Sequence, residues 1–487
     1  MKKKTFVIIV CAAVVVSVMA GLFIPAPRTA EQGAWRYTIV VEPQYREITS
    51  IHDGVAVVAT AFNRQYAVID WTGAYIVPPG RYSWISGFVD GFARVRVGHE
   101  WSIINTRGEE LIPIGEGLPG EIGGGLAVIS VGWDFDAEFI IIDTTGRQID
   151  LPRRYSDIFP SECGFIWVQY NERWNEILDE IRAGLWDNRT LTPMWETGEG
   201  LFGILDRTGT EIIPPQFNII WPFYEGVAPV VIGNWQTGQE WGVVDLTGTM
   251  IVPFGRYSYI MPFSEGLAAV SYNGLLGFID TTGTEVVTPQ FEFSSNIWPF
   301  SEGLIAVQCS DYLWGYMDAT GAIIVEPRYN LASSFSDGVA AVAVIYDNEV
   351  KWGLIDRTGT EIVPPGRYDL FHWMWDINLS RGGFIPVAVM SDRGENKFTW
   401  GFIDTTGAEI IAPQFDNFRW IFDRLAAVAQ IVPGVGLPNY QWGVIDIATG
   451  EEVVPFGRFN EIGFVEDGLV AVRYGGKALW GLIRLER

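Results

Sequence analysis

An aspartate recurs through this chain at near-constant spacing: Asp70, Asp143, Asp206, Asp245, Asp280, Asp318, Asp356, Asp404 and Asp446, with Asn105 standing in one phase in its place. Carboxylates in such number could ligate cations or flank a glycosidic bond as acid and base. An active site, however, needs one pair, whereas a turn needs one copy per unit. Asn105 keeps the local hydrogen bonding while dropping the charge, as a turn role permits. The series therefore reads as structural. The three histidines, His52, His99 and His372, are far apart and lack ligand spacing, so a zinc site is not expected. There is no Gly-x-Ser-x-Gly elbow, no phosphate-binding glycine loop and no His-Glu-x-x-His. The sequence predicts neither catalysis nor a cofactor.

Tryptophan is the second candidate chemistry, with 21 copies in 487 residues. Trp241, Trp314, Trp352, Trp400, Trp442 and Trp480 recur in phase and could be sugar-stacking platforms. Each buries up to ~200 Å² if packed between units, which favours a core role. Trp221, Trp298 and Trp420 differ: they lie outside the recurring phrase, each two residues before a phenylalanine, and Trp373 and Trp375 stand in an insertion nearby. Positions that vary between otherwise regular copies are where a repeat protein places recognition. These five are the predicted partner- or ligand-binding residues. Met261, Ser333 and Ile462 fill the same phase, which reads equally well as tolerant packing between units.

The frame for these residues is a phrase of about forty residues. It runs Trp241-Gly242-Val243-Val244-Asp245, then Gly248, Ile251-Val252-Pro253 and Tyr257, then Pro262-Phe263-Ser264-Glu265-Gly266-Leu267-Ala268-Ala269-Val270. Trp-Gly returns at 314, 352, 400, 442 and 480, and the second half of the phrase recurs from Asp53-Gly54 to Asp467-Gly468, giving eleven phases. On these residues the chain resembles a tandem array of the bacterial WG repeat family over about residues 37 to 485. The resemblance implies β structure and a binding role, and little about activity. The first three units depart from it, with Tyr66, Trp101-Ser102 and Phe139-Ile140 where Trp-Gly belongs.

One unit is readable from its letters. Trp-Gly-Val-Val-Asp is a short strand, Asp-x-x-Gly a turn with glycine at φ > 0, and Glu-Ile-Ile-Pro a returning strand that proline ends. Phe-Ser-Glu-Gly is a second turn, and Leu-Ala-Ala-Val a third strand pairing toward the next Trp-Gly. A lone hairpin is marginal in water, so each unit must bury its apolar face on neighbours. The fold expected is all-β: a tandem array of short antiparallel units forming an open or nearly closed β superhelix, with β-propeller-like rings as the alternative, since rings typically hold 4 to 8 blades. The chain starts with the latter half of a unit (Ile39 to Tyr45) and finishes with the first half of another (Trp480 to Ile483), so two halves make a whole. Between Asp143 and Asp206 lie about 25 extra residues. There Trp174, Ile177, Leu178, Ile181 and Leu185 predict an amphipathic helix within an insertion at about 171–190. A smaller excess surrounds Phe371 to Trp375.

Residues 1–33 read as a signal peptide or N-terminal membrane anchor plus a short linker, and 34–487 as the array. Lys2, Lys3 and Lys4 precede an apolar run from Phe6 to Ile24, a length between a signal-peptide core and a spanning helix. The expected location is extracytoplasmic, secreted or anchored. Net charge is −25, which excludes nucleic acid as a natural partner. Cys163 and Cys309 lie several units apart, so no disulfide joins them if units touch only neighbours. The expected function is a non-catalytic interaction scaffold that binds protein or peptide at the cell envelope. Cell-wall carbohydrate binding through exposed tryptophans is the first alternative and a hydrolase on a propeller-like frame the second.

Overall fold

The computed structural model describes residues 35–61, 63–132, 138–161, 164–170, 200–234, 238–292, 299–308, 312–346, 349–371, 383–390, 398–432, 439–474 and 479–487. The predicted helix near 171–190, the N-terminal segment, Cys163, Cys309 and His372 lie outside these residues. Within them all regular structure is β, in antiparallel sheets whose strands follow one another as meanders. A representative sheet contains Leu331–Ala332, Val339–Tyr346, Glu349–Asp356 and Glu361–Tyr368 in that order. The expected pairing holds: Val342 faces Gly353 and Ala343 faces Trp352. Ten such sheets are described, and one of seven strands is two units sharing the long strand Arg36–His52. Eleven units result, matching the eleven phases of the sequence.

One feature differs from the sequence expectation. Proline does not end the returning strand but sits in a bulge, after which the strand resumes. Leu354 pairs with Val363, yet Trp352 pairs with Tyr368, so two residues on one strand oppose five on the other. The bulge absorbs prolines that could not donate to a regular ladder. It also explains the glycine after each tryptophan. A Cβ on Gly353 would lie 2.6 Å from the Val363 carbonyl oxygen, and on Gly401 2.5 Å from that of Ile411. Glycine is required here by close approach, not by a positive φ.

The same contact joins the half-units. Leu479–Glu486 lies beside Arg36–His52 in the seven-stranded sheet, and a Cβ on Gly481 would meet the Val41 carbonyl at 2.4 Å. The first and last segments of the repeat region thus complete one unit.

By contacts the chain divides into two compact units, one of Met1–Thr38, Glu292–Ile462 and Leu485–Arg487, the other of Ile39–Phe291 and Gly463–Arg484. In both, the core lies between successive sheets. Val339, Ala341 and Ala343 pack with Ile385, Val387 and Ile403 of the following sheet. Ala340 and Val342, pointing the other way, pack with Leu304, Ala306 and Tyr329 of the preceding one. This is strand alternation with both faces buried, which is why these strands read as unbroken apolar runs.

Polar clamps reinforce the apolar contact. Arg81 and the Tyr82 hydroxyl both donate to Glu110 of the next unit, at 2.9 and 2.7 Å. Arg256 and Tyr257 hold Glu285 at 3.0 and 2.8 Å, and Arg153 and Tyr155 hold Glu211 at 2.9 and 3.0 Å. Tyr329 donates to Glu361 and Tyr368 to Glu409. Each acceptor stands two residues after the turn glycine. Where the aromatic is phenylalanine, as at Phe217 and Phe291, the corresponding residue is Met250 or Ile323. At these positions clamp and acceptor change together, whereas the unit after Phe415 keeps a glutamate, Glu452.

We expect Gly401→Ala to destabilise the fold by roughly 1–3 kcal/mol through overpacking against the bulge, read as a lower urea midpoint. Gly450→Ala tests the contrast. That glycine has open space around it but φ +73, so its cost comes from the backbone alone.

Candidate functional site

The aspartate series is turn chemistry. In a typical copy the Asp245 Oδ1 accepts the backbone N–H of Thr247 at 2.8 Å, that of Thr249 at 2.9 Å and the Thr247 hydroxyl at 2.6 Å. Asp70, Asp143, Asp206, Asp280, Asp318, Asp356 and Asp404 repeat the pattern. Asn105 also does so, its Oδ1 accepting from Arg107 and Glu109 at 3.0 and 3.1 Å. In Asp70, Asp245, Asp280 and Asp318 the threonine hydroxyl is the largest influence and holds the carboxyl below its usual range. In Asp143, Asp206, Asp356 and Asp404 partial burial pushes upward first, and the hydrogen bonds outweigh it, bringing Asp143 down to about 2. These carboxylates are committed to their own loops. Among the described residues no group of three His, Cys, Asp or Glu is arranged to hold a metal ion.

The recurring tryptophans are core. Trp241, Trp314, Trp352 and Trp442 are buried, and Trp400 and Trp480 are partly buried against the neighbouring clusters. Of the five off-phase tryptophans, Trp298, Trp373 and Trp375 lie outside the described residues. Trp221 is half-buried against the cluster containing Trp241 and Tyr257, and its indole Nε1 is enclosed without a hydrogen-bond partner. Trp420 is half-buried in the strand Asn417–Phe422, paired with Ala427. The two described residues of this series are thus packed into their sheets.

The second turns carry a feature the sequence reading missed. Glu265 and Gly266 both have positive φ, 54° and 83°, and Ser264 and Leu267 exchange two backbone hydrogen bonds around them. This is a type I′ turn, and its first central position is costly for a glutamate. In four copies the carboxylate at that position reaches a glycine N–H in the second turn of the following unit. Asp53 accepts from Gly91, Asp90 from Gly124 and Glu225 from Gly266, each at 2.7 Å, and Glu302 accepts from Gly338 at 2.9 Å.

Variation concentrates at a third connection, between the Leu-Ala-Ala-Val strand and the next Trp-Gly strand. It is two residues long after Val97 and after Tyr346, but spans 391–397 after Met390 and 171–200 after Tyr170. The long insertion noticed in the sequence belongs to this edge. The three most exposed large apolar side chains of the described residues are here: Tyr312 (75%), Tyr346 (70%) and Met390 (58%). Ile345 and Val350 stand at the same connection and are also exposed, as are Tyr272, Tyr474 and Val97 at this connection in the other compact unit. Comparing connector lengths between copies would have found it from sequence alone.

The family model described as WG containing repeat matches at 66–100, 141–174, 202–234, 241–275, 277–312, 314–344, 352–372, 400–422 and 442–477, more than half of the chain. The chain belongs to the WG containing repeat family. No curated protein matches it. Among solved structures, the WG array is similar to one titled a eukaryotic initiation factor, at 12% identity and TM-score 0.39, covering 81% of this chain and 94% of that one. It is also similar to the tricorn protease, at 14% identity and TM-score 0.22, covering 88% of this chain and 46% of that one. A third is BamB from Moraxella catarrhalis, at 12% identity and TM-score 0.27, covering 63% of this chain and 93% of that one.

The WG-repeat turns predict an acid-sensitive fold. Because the folded carboxyls are depressed, their contribution is complete above the unfolded value of about 3.9 and is lost as pH falls through the folded values. The melting temperature should hold from pH 7 to about 5 and drop steeply between about pH 4 and 2. Asp280→Asn should cost less than Asp280→Ala, which removes three hydrogen bonds and costs about 1–2 kcal/mol.

Proposed function

We propose that this WG-repeat protein is a non-catalytic interaction scaffold whose binding edge is the row of hairpin tips joining the Leu-Ala-Ala-Val and Trp-Gly strands. One observation carries the reading: the Asp turns repeat with little change, while this edge combines varying length with the most exposed Tyr and Met side chains of the described residues. Exposed apolar side chains in a charged surface are a common mark of a protein-binding site. Tyrosine in particular offers contact area at low entropic cost. The partner proposed is a protein or peptide at the cell envelope, met outside the cytoplasm. That location rests on the lysine-led apolar run Phe6 to Ile24. Against an enzyme stand the turn-bound aspartates, which are spent on their own backbone.

The test is a triple substitution, Tyr312→Ser, Tyr346→Ser and Met390→Ser, in a pull-down from envelope extract. The expected result is loss of a protein partner that the parent chain retains, with the melting temperature unchanged within about 2 °C, since exposed side chains contribute little to folding. Undiminished capture by the triple variant would overturn the reading, as would a partner identified as protein-free glycan.

A further inference from the structure

The eleven copies are controls for one another, and the copy around Trp101 departs from the rest in a coordinated way. Its sheet has three strands, Trp84–Ile85, Phe92–Val97 and Glu100–Asn105, and lacks the regular fourth. In the copies of Trp241, Trp314, Trp352, Trp400 and Trp442 a tyrosine or phenylalanine of the fourth strand pairs opposite the tryptophan, as Tyr257 does with Trp241 and Tyr368 with Trp352. In several copies the aromatic at this position follows an arginine, as in Gly80-Arg81-Tyr82, Gly255-Arg256-Tyr257 and Gly366-Arg367-Tyr368. The corresponding residues here are Gly115-Glu116-Gly117. A guanidinium has become a carboxylate, and a ring has been deleted. The acceptor has changed with them, for Gln148 stands where Glu110, Glu285 and Glu409 stand in other copies.

An open cleft of about 270 Å³ occupies this place, lined by His99, Glu100, Trp101, Glu116 and Leu118 with glycines 115, 117 and 132. Neither Glu100 nor Glu116 is engaged by another described side chain. Arg96 lies over the Trp101 ring at 5.4 Å and is outnumbered by the two carboxylates. A Cβ on Gly117 would come within 2.4 Å of Ile129, so this backbone cannot simply regain the missing ring. In four sibling copies the equivalent arginine sits 5.0 to 5.2 Å over its tyrosine, and two of them, Arg81 and Arg256, pair with a carboxylate. A cation beside an aromatic wall and two acids is the complement of what this copy has lost.

We propose that the cleft receives an arginine side chain presented by a basic partner segment, filling the slot that sibling units fill with their own arginine and tyrosine. This deepens the scaffold reading and rests on it for the existence of a partner. The charge fits, since the chain carries −25 and the cleft is acidic. The cleft includes His99 and Gly132, which stand at the variable edge described above.

The probe is the peptide acetyl-Gly-Arg-Tyr-Ser-amide, which reproduces residues 80–83, titrated calorimetrically into the full chain. The expected result is one saturable site, weakened at least about tenfold when citrulline replaces the arginine and by a similar factor in Glu116→Gln. Glu116 is exposed, so an unchanged melting temperature in Glu116→Gln separates lost binding from lost fold. Absence of binding at millimolar peptide, equal affinity for the citrulline peptide, or full affinity in Glu116→Gln would each overturn the proposal. None of these outcomes bears on the Tyr312, Tyr346 and Met390 experiment, so the two ideas fail separately.

Discussion

The structure depends on one close approach: the carbonyl of a bulged strand resting on the glycine that follows the tryptophan, or the Phe202 or Leu276 that replaces it. At Gly203, Gly277, Gly315, Gly353 and Gly401 that carbonyl stands 2.5 to 2.6 Å from where a Cβ would be. Glycine lets the fourth strand bulge across the third and return its tyrosine or phenylalanine opposite the tryptophan. The tryptophan is then covered, the arginine and tyrosine are aimed at the next unit, and the sheet presents two apolar faces. The same geometry at Gly481 and Val41 seats the last strand beside the first.

Much of this was legible. The number of units, their all-β character, the Asp turn and the burial of the recurring tryptophans followed from spacing and residue type, because each is a local demand repeated many times. The bulge at Pro364 was not legible, since proline announces a break in hydrogen bonding without saying whether the strand resumes. The type I′ turn at Glu265-Gly266 was hidden as well. Glutamate is a poor predictor of positive φ, and the carboxylate bond that accompanies it in a copy such as Glu225 is made to a residue in another unit.

The candidate site was less legible for a different reason. Attention fell on tryptophan at one phase, and Trp221 and Trp420 proved half-buried in their sheets, where an indole between units satisfies packing as readily as recognition. The edge carrying Tyr312, Tyr346 and Met390 is marked in sequence by varying connector length. The cleft beside Trp101 is marked by a swap of Arg-Tyr for Glu-Gly together with Gln148. Both signals emerge only when copies are laid against one another, because each consists of a difference between units.

Where a carboxylate runs from one second turn to a glycine amide of the next, as from Asp53, Asp90, Glu225 and Glu302, neighbouring units are joined by one acceptor and one donor. Asp53 looks toward Gly91, and Asp90, in the turn that holds Gly91, looks toward Gly124. Such a link has a sense, like a coupling between identical carriages. A copy that keeps both groups can follow another without a new contact having to evolve. A gene encoding this arrangement can lengthen by in-frame duplication of a whole unit, and each fresh copy is then free to drift at its tips.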